Sequence, residues 1–105
     1  MTTKIDFRPV VIQRFIDAVL HFNKQIAVSE IQDVFGVSRT KASLEIKAYR
    51  DARPDTALYY SGYEKLWKAT GDWRLTDEFW PGKEHPVQFL KAVKTVYGVT
   101  VPLAP

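Results

Sequence analysis

Behind Pro9, apolar residues fall at Ile12, Phe15, Ile16, Val19 and Phe22. This i, i+3, i+4, i+7 spacing gives a helix one core-facing stripe. Pro9 suits the first turn of such a helix, where a missing N–H costs nothing, and the pattern runs to Asn23. Gln13, Arg14, Asp17, His21 and Lys24 read as its wet face, while Val10, Val11 and Leu20 widen the apolar side. Ser29-Glu30-Ile31-Gln32 has the S-x-x-Q form of a capping box. It predicts a short second helix with Ile31, Val34 and Phe35 inward and Gly36 as its stop. Ser38 is a good N-cap for a third helix reaching about Ala52. In that helix Ala42, Ile46 and Tyr49 share the core face, and Thr40, Leu44 and Lys47 point the other way. Arg53-Pro54-Asp55 ends it, because the residue before proline avoids the α region and Pro-Asp favours a turn.

The next pattern is shorter. Thr56–Tyr60 and Lys65–Ala69 are β-prone runs around a Ser61-Gly62-Tyr63-Glu64 turn, which predicts a hairpin. Tyr60 and Trp67 read as residues that close the core; Tyr59 and Tyr63 fit either face. Thr70 to Glu84 reads as a loop, and its Trp73, Phe79 and Trp80 imply that it packs back on the domain. His85-Pro86 opens a last helix to about Tyr97, with Gly98 as its stop. Phe89, Leu90, Val93, Val96 and Tyr97 form one apolar stripe on that helix. The stripe is read as a homodimer contact, the alternative being that it packs on the first helix of its own chain. The expected fold is mainly α with a small β-hairpin. It is a winged helix-turn-helix over residues 1–81, followed over 82–105 by an additional C-terminal helix and tail that serve dimerisation.

Composition narrows the function. A chain of 105 residues is one domain. With 46% hydrophobic and 13% aromatic residues it suits a folded globule. The lack of cysteine excludes disulfides and thiolate metal sites. No apolar run approaches ~18 residues, and the N-terminus lacks a signal-peptide apolar region, so a cytoplasmic protein away from membranes is expected. The net charge is +3. Residues 38–53 hold Arg39, Lys41, Lys47, Arg50 and Arg53 against Glu45 and Asp51, whereas the segments on either side are balanced. The surplus therefore sits on the third helix, where attraction to phosphate is useful. His21 and His85 stand alone in sequence, and no H-E-x-x-H, G-x-S-x-G or phosphate loop is present. A protein that is not an enzyme and needs no cofactor or metal is expected.

Ser38-Arg39-Thr40-Lys41-Ala42-Ser43 with Tyr49, then Ala52-Arg53-Pro54, Leu58-x-Tyr60 and Phe79-Trp80-Pro81, resembles the N-terminal winged helix of WYL-domain transcriptional regulators. Members that repress bacterial phage-defence operons look most similar. The resemblance spans roughly Phe15 to Pro81 and implies a homodimer binding an inverted repeat near a promoter. No WYL domain lies in these 105 residues, so its ligand sensing is not carried over, and a stand-alone regulator is expected.

The leading reading is thus sequence-specific binding of double-stranded DNA. Ser38 and the first free N–H groups of its helix would hold a phosphate. Arg39 and Lys47 would read guanine and Leu44 a thymine methyl, with Thr40 and Ser43 small enough for close approach. Lys41 and Arg50 add charge along the helix, and Lys65 and Lys68 would reach phosphate from the hairpin. The competing reading is a winged helix that binds protein, such as a phage-encoded inhibitor; the basic charge along the third helix argues against a DNA mimic.

Overall fold

The computed structural model describes residues 8–76, 79–80 and 85–97. Among them the element order is α1 (Arg8–Asn23), β1 (Gln25–Ile26), α2 (Val28–Phe35), α3 (Arg39–Asp51), β2 (Leu58–Ser61), β3 (Leu66–Ala69) and α4 (Pro86–Tyr97). The strands form an antiparallel sheet in the order β1-β3-β2. Three helices against a small sheet with a β2–β3 hairpin make a winged helix, and α4 is the additional C-terminal helix.

β1 is only two residues long and carries no pattern of its own. It exists because α1 ends abruptly. Lys24 takes a left-handed φ of 60°, and its N–H closes on the Leu20 carbonyl at 3.0 Å. The Lys24 carbonyl then accepts the Ala69 N–H at 2.9 Å, which sets Gln25 opposite Lys68 and Ile26 opposite Trp67. β3 is thereby the central strand, and Trp67 is flanked on both sides.

The start of α2 lies one residue before the expected cap. Ala27 is the N-cap, so Ser29 is already helical. Glu30 supplies half of a capping box, its carboxylate accepting the Ala27 N–H at 3.0 Å. Alanine has no oxygen to return the bond. Burial raises the Glu30 carboxyl above its ordinary pKa, ahead of that hydrogen bond, which lowers it. Gly36 closes α2 in the left-handed region at φ 66°, its N–H on the Gln32 carbonyl at 2.8 Å. Its position has open space for a side chain, so φ alone makes glycine the suitable residue.

One core unites these elements. Ile12, Phe15, Ile16 and Val19 of α1 meet Ile31 of α2, Ala42, Ile46 and Tyr49 of α3, and Ile26 and Trp67 of the sheet. Phe15 and Phe35 pack edge to face at 5.3 Å. Trp73 and Trp80 from the long connection belong to the same core, as their number in a loop implied.

Four side chains depart from the expected pattern. Asp17 was placed on the wet face of α1, yet it is completely buried. The connection folds over that face and covers it. Asp17 accepts the Tyr49 hydroxyl at 2.5 Å, the Thr76 hydroxyl at 2.8 Å, the Thr76 N–H at 3.1 Å and the Trp80 indole N–H at 2.7 Å. Tyr60 was expected to close the core, but it is 48% exposed. It faces Trp67 across the ladder at 5.3 Å, on the edge strand, where nothing covers its far side. The two histidines, far apart in sequence, meet at 6.1 Å between ring centres. Burial, with Lys24 and His85 adding, lowers the His21 pKa against a smaller opposing effect of Asp17. The unfolded chain then takes up this proton first, so this contribution to stability is lost as pH falls below ~6.5.

The expected dimer stripe is corrected in its first half. Phe89 and Leu90 are buried inside their own chain, packed in the common core. Phe89 meets Trp80 edge to face at 5.4 Å, and the Arg14 guanidinium lies 4.8 Å and 4.7 Å from the two rings. The wide apolar face of α1 takes them, as the alternative for this helix supposed. The described first half of α4 is therefore part of the same core as the helices and sheet before it. The side chains of Val93, Val96 and Tyr97, like Gly98 and the tail, lie outside the described residues.

Candidate nucleic-acid interface

α3 projects from the body because only one of its faces is apolar. Ala42, Ile46 and Tyr49 are fully buried. On the opposite side Arg39, Thr40, Lys41, Leu44 and Lys47 are exposed, and Ser43 is half-buried. Leu44 stands 56% exposed in the middle of this face. An apolar side chain held in water without a protein partner suits contact with an apolar group on a ligand surface. Ser38 caps the helix as expected, its hydroxyl accepting the Lys41 N–H at 3.1 Å. The remaining first-turn N–H groups and the helix dipole then favour an anion at this end.

The charges do not all remain available. Lys41 donates to Glu45 at 2.8 Å, and Glu45 is held in turn by the Gln13 amide at 3.0 Å. Arg50 pairs with Asp51 at 3.1 Å and lies 5.3 Å over Trp67. Arg53 turns inward, donating to the Tyr49 carbonyl at 2.6 Å and to the Thr76 hydroxyl, with Asp17 at 3.8 Å. Its guanidinium lies 3.4 Å from the Tyr49 ring centre. Among the described residues of this helix, Arg39 and Lys47 are the exposed cations without an ion pair.

The hairpin tip is set by Ser61. Its carbonyl accepts the Lys65 N–H at 2.7 Å, and its hydroxyl accepts the Glu64 N–H at 3.3 Å. Lys65 adopts a left-handed φ of 58° at the tip and is exposed. Lys68 pairs with Glu64, which raises the Lys68 pKa and lowers that of Glu64 through their hydrogen bond. A groove of about 160 Å³ joins the start of α2, Arg39, Tyr60 and Lys65. The fold thus brings Arg39 and Lys65 together and turns Lys68 toward its own acid. Tyr60 lines this groove, and Tyr59 and Tyr63 are exposed elsewhere on the same hairpin, Tyr63 to 98%. The sequence left Tyr59 and Tyr63 open and put Tyr60 inside; the signal it lacked was which strand forms the sheet edge.

A model of the BrxR transcriptional regulator winged helix-turn-helix domain matches residues 10–83. The chain belongs to this BrxR family. No curated protein matches it. The BrxR match takes in α1, both helices of the helix-turn-helix, the wing and the Trp73–Trp80 connection, and it bears out the family read from the motifs. In this BrxR domain the aromatic connection is therefore part of the matched unit, whereas α4 lies beyond it. Among the described residues no helix is long and apolar enough to cross a membrane.

Proposed function

We propose that this BrxR-family chain is a cytoplasmic, sequence-specific repressor that binds double-stranded DNA as a homodimer on an inverted repeat, in front of a phage-defence operon. It acts without catalysis and without a cofactor. The observation that carries the reading is the exposed face of α3, where Arg39, Thr40, Leu44 and Lys47 stand together with Arg39 close to the wing. That face has the dimensions and residue types for a major groove. Two-fold pairing would double the few base pairs that one helix reads and set the half-sites about 34–36 Å apart, or a multiple of this.

Selection from a random DNA pool tests it: a palindromic consensus is the expected result, and a pool that never enriches would overturn it. On the selected site, Arg39→Ala is expected to cost ~1–3 kcal/mol and to relax the preference at one base pair. Equal loss on scrambled DNA would reduce Arg39 to a phosphate contact.

The wing supplies a second expectation. Lys65→Ala should lower the slope of log affinity against log salt by about 1, while Lys68→Ala leaves it nearly unchanged, because Glu64 already neutralises Lys68. Equal slopes for both variants and the wild type would show that the hairpin does not touch the backbone. The exposed wing tyrosines favour a second reading, a protein-binding surface. A tyrosine-to-alanine series that leaves DNA affinity intact would support it.

A further inference from the structure

At the C-terminal end of α3, on ground that shares no residue with the proposed DNA surface, lies a cleft of about 520 Å³. This falls within the ~300–1,000 Å³ usual for small-molecule sites. Leu75 and Phe79 give it an apolar wall, and Gln13, Arg53, Arg74 and Asp72 give it a polar one. We propose that this cleft binds a small organic monocarboxylate with an apolar body, and that its occupancy weakens DNA binding through Gln13.

The charges define the ligand. Arg53 is offset by Asp17 behind it, and its Nε–H is buried without an acceptor. Arg74 is held in place by the carbonyls of Gly71 and Trp73, both accepting from the same Nη1 at 2.6 Å and 2.8 Å, so the rest of its donor fork is left over. The remaining Nε–H and Nη2 donors of Arg74 therefore form a fork that a carboxylate matches. Asp72 on the same cleft opposes a second negative charge. A polyphosphate or nucleotide fits this balance poorly.

The link to α3 is a chain of hydrogen bonds. Gln13 Nε2 donates to the Glu45 carbonyl at 2.8 Å and to its carboxylate at 3.0 Å, and Glu45 accepts Lys41 at 2.8 Å. Lys41 lies in the first turn of the proposed recognition helix. A carboxylate that draws the Gln13 amide into the cleft strips Glu45 of one donor. Glu45 is almost buried, so with one donor fewer it holds Lys41 more firmly, and the exchange of Lys41 from this pair to a DNA phosphate costs more. The site stands on the cleft alone; the coupling rests on the DNA-binding reading.

The full chain, labelled with ¹⁵N, is titrated with benzoate and with hexanoate, benzyl alcohol and pyrophosphate serving as controls. Saturable shifts of the Gln13 side-chain amide and Thr76 are expected from a carboxylate, with a Kd of about 1 mM or tighter. They should be lost in Arg74→Gln and absent with both controls. No saturable shift from either carboxylate overturns the site, as does an unchanged response in Arg74→Gln. Saturating carboxylate should lower affinity for the selected DNA about five-fold or more, and Glu45→Gln should abolish this effect while the shifts persist. Shifts without any change in DNA affinity overturn the coupling. A chain that shows the shifts but binds no DNA overturns the coupling together with the DNA-binding reading, and leaves the site standing.

Discussion

Asp17→Ala is expected to remove about 3–5 kcal/mol of folding stability, because it strands the partners of a buried charge. That is a large share of the ~5–15 kcal/mol that holds a domain of this size together. The carboxylate accepts from Tyr49, Thr76 and Trp80 and faces Arg53. Those groups come from α3, from the residue just past its C-cap and from the connection to α4. Without it, two hydroxyls, a backbone N–H and an indole N–H lose their shared acceptor in the interior, and the Arg53 guanidinium loses its counter-charge. Chemical denaturation measures the loss. A change below about 1 kcal/mol would mean that these donors find other partners, and the junction would not depend on Asp17. Tyr49→Phe keeps the ring but removes one donor to the buried carboxylate and the acceptor of the Trp73 indole N–H, so it should cost somewhat less, about 1.5–3 kcal/mol. It should also alter the alkaline limb. Burial first, and then the Asp17 charge and hydrogen bond, push the Tyr49 phenol far above its ordinary range. The folded chain holds this proton after the unfolded chain has released it. Stability is thus full below pH ~10 and falls as pH rises beyond it, and Tyr49→Phe should flatten that fall.

Leu90→Ala should cost about 2–5 kcal/mol regardless of protein concentration, the range for emptying a well-packed aliphatic site. Leu90 is 1% exposed within its own chain, and α4 leans on α1 through it and Phe89. Leu90→Glu goes further, placing an unpaired carboxylate in the common core, and the domain should not hold its fold. These variants separate two uses of α4. An interface residue would leave a folded monomer with a concentration-dependent melting temperature in the wild type. A core residue destabilises at every concentration. Circular dichroism melts at two concentrations with light scattering decide it; a folded Leu90→Glu monomer would return Leu90 to the dimer surface. The homodimer itself does not need Leu90, since the proposal concerns pairing of the DNA-reading unit.

The local elements were legible because each rests on neighbours in sequence. The Gly36 stop, the Ser38 cap and the Ala42, Ile46, Tyr49 face are settled by φ preference, one hydrogen bond and helical period. The same local signals carried α1, α4 and the hairpin, and with them the exposed face of α3. What the sequence could not settle depends on which distant segment arrives on which face. Asp17 looks solvated on a helical wheel, and only the return of Thr76 and Trp80, 59 and 63 residues away, makes it the buried acceptor of the domain. Tyr60 and Trp67 carry similar aromatic character, and position in the sheet separates them: the central strand buries one, the edge exposes the other. β1 has too few residues for any period and is created by pairing with β3. Charge behaves the same way. The basic surplus of residues 38–53 is a property of the sequence, but tertiary contacts decide its availability. Arg53 is drawn to Asp17, Lys41 to Glu45 and Arg50 to Asp51, while Arg39 and Lys47 stay in water. Periodicity reports which side of a helix is apolar, whereas the partner of a polar group is fixed by the closest approach of chains far apart in sequence.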